Sequence, residues 1–184
     1  MNIVIFGANG ATGKILTKQA LDSGHRVTAV TRHPEAFPLR DARLNVMGGD
    51  VFDLALVEQA VAGQDAVLST LGVPFRRTPI TLYSRGMAHI VQAMKHSGVR
   101  RVVCVSSSAT GTNHETGGGF IFDKILQPIV MSTITSRADL ADCMLQQLAT
   151  DQYSRKVMAV ATFSVQPSML KFMLQEAFKE PSKS

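Results

Sequence analysis

Gly7-Ala8-Asn9-Gly10-Ala11-Thr12-Gly13 follows the apolar run Asn2-Ile3-Val4-Ile5-Phe6 and precedes Ile15, Leu16 and Ala20. The run reads as a strand, and the apolar positions after the glycines recur at helical spacing until Gly24 stops them. Three glycines at a strand-to-helix junction leave backbone amides bare, at the helix end whose dipole favours negative charge. Their spacing is GxxGxxG, and their placement gives it meaning: Gly7 and Gly10 permit close approach of an anionic group, and Gly13 permits close packing of helix on strand. A ligand-free tight turn is the plain alternative, and the strand–turn–helix context weighs against it. Gly7, Asn9, Gly10, Ala11, Thr12 and Gly13 are therefore expected to line a pyrophosphate, with the Thr12 hydroxyl donating to phosphate.

Strands and helices alternate outward from this turn. Residues 26–31 read as a second strand. Asp53 is placed to cap a helix whose apolar positions Leu56, Val57, Ala60 and Val61 share a face and which ends at Gly63. Residues 66–70 give another strand. Tyr83, Met87, Ile90, Val91 and Met94 mark an amphipathic helix closed by Gly98, and residues 101–105 read as a buried strand. Such alternation predicts an α/β fold, a Rossmann-like doubly wound parallel sheet with helices on both faces. Beyond it, residues 106–119 read as a loop rich in Ser, Thr and Gly, and residues 120–133 as a helix interrupted by Pro128. Ser136 is expected to cap a helix through Leu148, followed by a strand over 157–162 and a closing helix over 167–178. At 184 residues one domain is expected over 1–184, with a cofactor-binding core over 1–108 and a reduced substrate-side region over 109–184.

Hydrophobic residues at 45% against 18% charged exclude a disordered chain. No apolar run is long enough to cross a bilayer, and the first residues show neither basic leader nor small-residue cleavage site, so the expected location is cytoplasmic. Two cysteines, Cys104 and Cys143, make neither a disulfide framework nor a metal spacing and are expected to be reduced and buried. His25, His33, His89 and His96 are scattered without partners at ligand spacing, and no metal site is indicated; His114, in the loop, could reach a ligand, with a solvated side chain as the bland reading. The net charge of +5 is dispersed among residues without stacking aromatics, which argues against a nucleic-acid partner.

The end of the second strand selects the cofactor. A ribose 2′-hydroxyl is usually held there by an acid, and a carboxylate would repel a 2′-phosphate. This chain has Thr31-Arg32-His33 instead. A guanidinium pairs with phosphate in a bidentate fork, so Arg32 points to NADP(H) rather than NAD(H). Asp50, after Gly49, is placed to accept from the adenine amino group while Val51 packs on the ring. Thr70, Leu71 and Gly72 are expected to pass beneath the nicotinamide side.

GANGATG at 7–13, Thr31-Arg32, Gly49-Asp50-Val51, AGQDAV at 62–67 and VVCVSSS at 102–108 together resemble the atypical short-chain dehydrogenase/reductases. The likeness is to their NAD(P)-binding, NmrA-like branch, which includes reductases of the biliverdin reductase B type. It runs from residue 1 to about 133 and resumes over 136–178. The resemblance implies NADP(H) binding, with hydride transfer to a flavin, quinone or similar conjugated acceptor in some members and redox sensing in others. It also implies a serine after the fifth strand, Ser106 or Ser107, that hydrogen-bonds a substrate carbonyl; a polar strand exit is the bland reading. Neither Tyr83 nor Tyr153 has a lysine four residues on, so the Tyr-x-x-x-Lys pair of ordinary members is absent, and with it their usual general acid. Reductases of this branch take the proton from solvent. Relatives also carry a further strand and a substrate-covering loop where Ile134 here runs into Thr135 and Ser136; without them, residues 157–162 are expected beside the fifth strand. The expected function is an NADPH-dependent oxidoreductase acting on a small-molecule acceptor, and the alternative is a non-catalytic NADP(H)-binding sensor. The helix over 83–94 leaves a homodimer open.

Overall fold

A computed structural model describes residues 1–73, 81–105, 135–152 and 154–156. Residues Met1–Ser107 and Arg137–Met158 form one compact unit; the other unit, Ser108–Ser136 with Ala159–Ser184, lies almost wholly outside the described residues. The expectations for 106–134 and 157–184, with Tyr153, fall outside them too.

Five parallel strands form the sheet: β1 (Asn2–Phe6), β2 (Arg26–Thr31), β3 (Leu44–Gly48), β4 (Ala66–Ser69) and β5 (Arg101–Cys104). Their order is β3-β2-β1-β4-β5. The chain winds one way from β1 to β3 and then crosses to β4, so connections leave opposite faces at the β1/β4 junction. A crevice opens there beyond the carboxyl ends of the strands, as doubly wound folds require.

Alternate strand residues feed two cores. Ile3 and Ile5 of β1 join Val27, Ala29, Ala66 and Leu68 under α1 (Ala11–Asp22) and α4 (Arg137–Ala149). On the other face Val4 and Phe6 join Val30 and Val67 under α2 (Leu54–Val61) and α3 (Leu82–Ser97). Because side chains alternate across a strand, both faces can be apolar only if the strand itself is a continuous apolar run. β1 and β4 meet that condition, and the doubly covered Rossmann-like sheet is the fold expected from the sequence.

Helix boundaries follow local chemistry. Gly24, Gly63 and Gly98 each have positive φ just past a helix, where only glycine avoids a Cβ penalty. Asp53 Oδ1 accepts from the Leu56 amide at 3.2 Å and caps α2. An Asp53→Ala variant is expected to lose about 1 kcal/mol of stability, read from the midpoint of urea unfolding; an unchanged midpoint would deny the cap its role. α4 begins directly after Ser136, where a cap was expected. Its far end is fixed by Arg101 at the start of β5, whose Nη1 donates to the carbonyls of Gln147 at 2.6 Å and Thr150 at 2.9 Å. A cation at a helix C-terminus also complements the dipole.

Three expectations need correction. β5 is not buried on both sides: Val103 packs against the α1/α4 core, whereas Val102 is 38% exposed and Cys104 is exposed. In register Val102 pairs with Val67 and Cys104 with Ser69, so both point to the face of α2 and α3, which lie over the more central strands. Cys143 is half-buried rather than buried. Of the apolar stripe expected on α3, Ile90 and Met94 are buried and Met87 packs against the same core, whereas Val91 is exposed and Gly86 and Ala93 are buried beside them. Gly86 is what brings α3 close, since a Cβ there would stand 3.1 Å from Val51 Cγ1. No helix among the described residues is long and apolar enough to cross a membrane.

Candidate functional site

The glycine turn is built for backbone approach. Gly7 has φ +80, a left-handed conformation, and a Cβ there would meet Thr70 and Leu71 backbone at 2.9 Å. Its carbonyl accepts from the Gly10 amide at 3.0 Å, and the first bond of α1 runs from the Lys14 amide to the Gly10 carbonyl at 3.0 Å. No side chain caps α1. The amides of Ala11, Thr12 and Gly13 therefore precede the helical ladder, and Ala11 and Thr12 line the cleft. Gly13 serves packing: a Cβ would lie 2.2 Å from the Gly7 carbonyl oxygen and 2.8 Å from Ala8 Cα. The Thr70 hydroxyl, at the end of β4, donates to the Gly7 carbonyl at 3.2 Å and ties the turn to the neighbouring strand.

These residues open onto a cleft of about 910 Å³ at the carboxyl ends of β1, β2 and β4. Of the residues expected at the site, Gly7, Asn9, Gly10, Ala11 and Thr12 line it, and so do Arg32, Asp50, Val51, Thr70, Leu71 and Gly72. Gly13 lies beneath, buried between helix and strand. Ser106 and Ser107 lie outside the described residues, as does His114.

The β2 and β3 side offers one guanidinium, Arg32, and one carboxylate, Asp50. The His33 amide donates to Thr31 Oγ1 at 3.2 Å, setting the turn that presents Arg32. Arg32 is exposed and makes no ion pair or hydrogen bond among the described residues. Asp50 is the one carboxylate lining the cleft among those residues; its Oδ1 accepts from the Phe52 amide at 3.0 Å, which leaves Oδ2 for a ligand. His89 Nδ1 lies 3.0 Å from the Val51 carbonyl and braces this turn from α3. Val51 is largely buried, so the larger apolar surface offered here is Phe52, 39% exposed, with the Arg85 guanidinium 5.2 Å from its ring centre.

Sequence reasoning missed Phe52, which the alternation of its neighbours gave no cause to single out. It also missed Arg137, the first residue of α4, which lines the same cleft. Its neighbours at the glycine turn lie more than a hundred positions away in sequence. Elsewhere, Cys104 is exposed at the residue level, while the protein packed around its sulfur raises the thiol pKa and so lowers its thiolate share. His96 Nδ1 meets Glu58 Oε1 at 2.7 Å on the surface.

The arrangement fits a dinucleotide. A diphosphate needs uncapped amides and bare backbone, both present at Gly7–Gly13, and the cleft has the volume of a cofactor site. Asn9 Oδ1 is buried at the turn with no hydrogen-bond partner, an orphan that a bound polar group or water can satisfy. Fold and cleft together define a dinucleotide-binding Rossmann protein. Over residues 7–132 the chain matches the NAD(P)H-binding family, and it belongs to that family.

Among curated proteins, the chain is similar to dTDP-6-deoxy-L-talose 4-dehydrogenase (NAD(+)) of Aggregatibacter actinomycetemcomitans. The two are 30% identical over 124 residues, 64% of this chain and 43% of that enzyme. A Rossmann-fold NAD(P)-binding family protein from Shigella flexneri is 28% identical with a TM-score of 0.51, over 60% of this chain and 53% of its own. A short-chain dehydrogenase/reductase (wide type) from Veillonella parvula, solved in complex with NADP, is 26% identical with a TM-score of 0.50, over 59% and 48%. The chain spans 33% and 43% of the lengths of two curated relatives it matches.

Proposed function

We propose that this chain is an NADP(H)-dependent reductase of a planar conjugated acceptor such as a flavin or quinone, of the NmrA-like branch of the atypical short-chain dehydrogenase/reductases. One observation carries the cofactor half: a single cleft joins the uncapped start of α1 to the unpaired guanidinium of Arg32. A pyrophosphate and a 2′-phosphate are the anions such a pair accommodates. Family membership and the NADP-bound relative support a nicotinamide dinucleotide; the choice of NADP over NAD rests on Arg32.

When bound, the nicotinamide supplies the reducing hydride. The chain's own residues bind and orient. The amides of Ala11–Gly13 and the Thr12 hydroxyl hold the diphosphate, Arg32 the 2′-phosphate, and Asp50 Oδ2 the adenine amino group, with Phe52 beside the ring. Thr70, Leu71 and Gly72 form the floor on the β4 side. Ser106 or Ser107, just past β5, orients the acceptor carbonyl on this reading, and the proton comes from solvent.

The test has two stages. Calorimetric titration should give NADPH a dissociation constant well below millimolar, with NADH weaker. NADPH oxidation should then proceed with a flavin or a neutral quinone such as menadione. Binding without turnover across such a panel would replace the reductase with an NADP(H) sensor, and no binding of either dinucleotide at millimolar levels would end the reading.

A further inference from the structure

We infer that the acceptor taken at this site carries an anionic group, a phosphate or a carboxylate, and that Arg137 holds it; the inference rests on the reading of the cleft as an NADP(H)-dependent reductase site. Arg137 is exposed, lines the cleft with the glycine turn, and makes no hydrogen bond or ion pair among the described residues. Its place in the topology sets it apart from Arg32. In the order β3-β2-β1-β4-β5, Arg32 follows β2, to one side of the turn after β1. α4 packs on α1 and touches β5, so Arg137 enters from the other side. Two guanidiniums thus flank the glycine turn.

A dinucleotide phosphate has its anions accounted for before Arg137 is reached. The diphosphate lies on the α1 amides and the 2′-phosphate at Arg32. What remains on the β4 side, over Thr70, Leu71 and Gly72, is the nicotinamide end, which is neutral when reduced and positive when oxidised. An arginine beside it gains nothing from the ring and is repelled by the oxidised form. Asp50, the one lining carboxylate among the described residues, belongs to the β3 turn, and Arg137 has no ion pair among those residues. A cleft with an unneutralised cation at its reactive end concentrates anionic ligands, and the guanidinium fork matches phosphate or carboxylate in two parallel bonds.

FMN and riboflavin share one reactive ring system and differ in a phosphate, so they isolate this contact. Quenching of flavin fluorescence on binding to NADP⁺-saturated protein gives affinities independent of turnover, and NADPH oxidation gives kcat/KM. The wild-type chain should favour FMN over riboflavin by about tenfold or more in both, the effect of a charge-assisted hydrogen bond. Arg137→Ala should bring the ratio near unity, and Arg137→Lys, which keeps the charge without the fork, should restore part of it. NADPH affinity should be the same in all three. Equal affinities for the two flavins in the wild type, or binding of neither, would overturn the inference and leave NADP(H) binding standing. Arg137→Ala loosening NADPH as much as FMN would also overturn it, making Arg137 a cofactor contact. Failure of NADPH itself to bind the wild type is the separate result that removes the proposed function and this inference with it.

Discussion

Gly13→Ala should unfold at a markedly lower temperature than the parent chain and lose most of its affinity for NADPH. Gly13 has ordinary negative φ, so the constraint is space rather than conformation. The added Cβ would sit 2.2 Å from the Gly7 carbonyl oxygen and 2.8 Å from Ala8 Cα and carbonyl carbon. Those are backbone atoms, which cannot swing aside as a side-chain tip can. Relief requires α1 to back away from β1 by about an ångström. The fully buried Leu16 and Ala20 on α1 then lose contact with Ile3 and Ile5. Overpacking of a tight core costs about 1–3 kcal/mol, and a backbone obstacle puts this site at the upper end. For a chain of this size that is a fall of about 6–12 °C in Tm.

The binding loss has a separate origin, because the same retreat tilts the three free amides away from one shared anion. NADPH affinity should fall by at least about tenfold, at temperatures where circular dichroism shows the variant folded. Gly10→Ala makes the internal comparison. Its Cβ would stand 3.2 Å from the Gly7 carbonyl oxygen in an exposed position, so stability should change little while approach of the ligand is obstructed. If Gly13→Ala melts with the wild type, the close contact of helix on strand is not what the glycine provides.

How much of this was legible in the sequence depends on how local each cause is. Gly24, Gly63 and Gly98 end helices and Asp53 starts one because backbone donors, acceptors and φ values must be satisfied within a few residues. The glycine turn was legible for the same reason. The exposed side of β5 was not. An apolar run such as Arg101–Cys104 states that both faces tolerate burial, and whether Val102 and Cys104 are covered depends on what packs there. The stripe of α3 went astray at Val91 because larger side chains were counted and Gly86 and Ala93 were not, although close approach of α3 to Val51 runs through a missing side chain. Arg137 was invisible for a third reason: α4 packs beside α1 although more than a hundred residues separate them in sequence. Cofactor-side residues lie within a few positions of a strand end, whereas substrate-side residues come from wherever the chain returns.

Arg32→Asp should weaken NADPH by about a hundredfold and NADH by less than about threefold. Arg32 is exposed and has no partner among the described residues, and its backbone is held by the turn that the Thr31 hydroxyl stabilises, so the substitution removes a ligand contact and no structural one among them. Hydrogen bonds to charged groups contribute about 1.5–3 kcal/mol, a factor of about ten to a hundred for the lost fork. Replacing the cation by a carboxylate adds repulsion against a 2′-phosphate, which takes the loss to the top of that range. NADH has a hydroxyl at that position and suffers no such repulsion; a carboxylate is the group that usually accepts from it. Because the contact is open to solvent, raising the salt concentration should weaken NADPH binding to the wild type more than to Arg32→Asp. Thermal stability should hold, since an exposed side chain without partners changes stability by no more than about 0.5 kcal/mol. Calorimetric titration of both dinucleotides into both proteins, at low and high ionic strength, measures all of this. Equal weakening of NADPH and NADH would mean that the substitution disturbs the cleft at large, and the assignment of Arg32 to the 2′-phosphate would have to be given up.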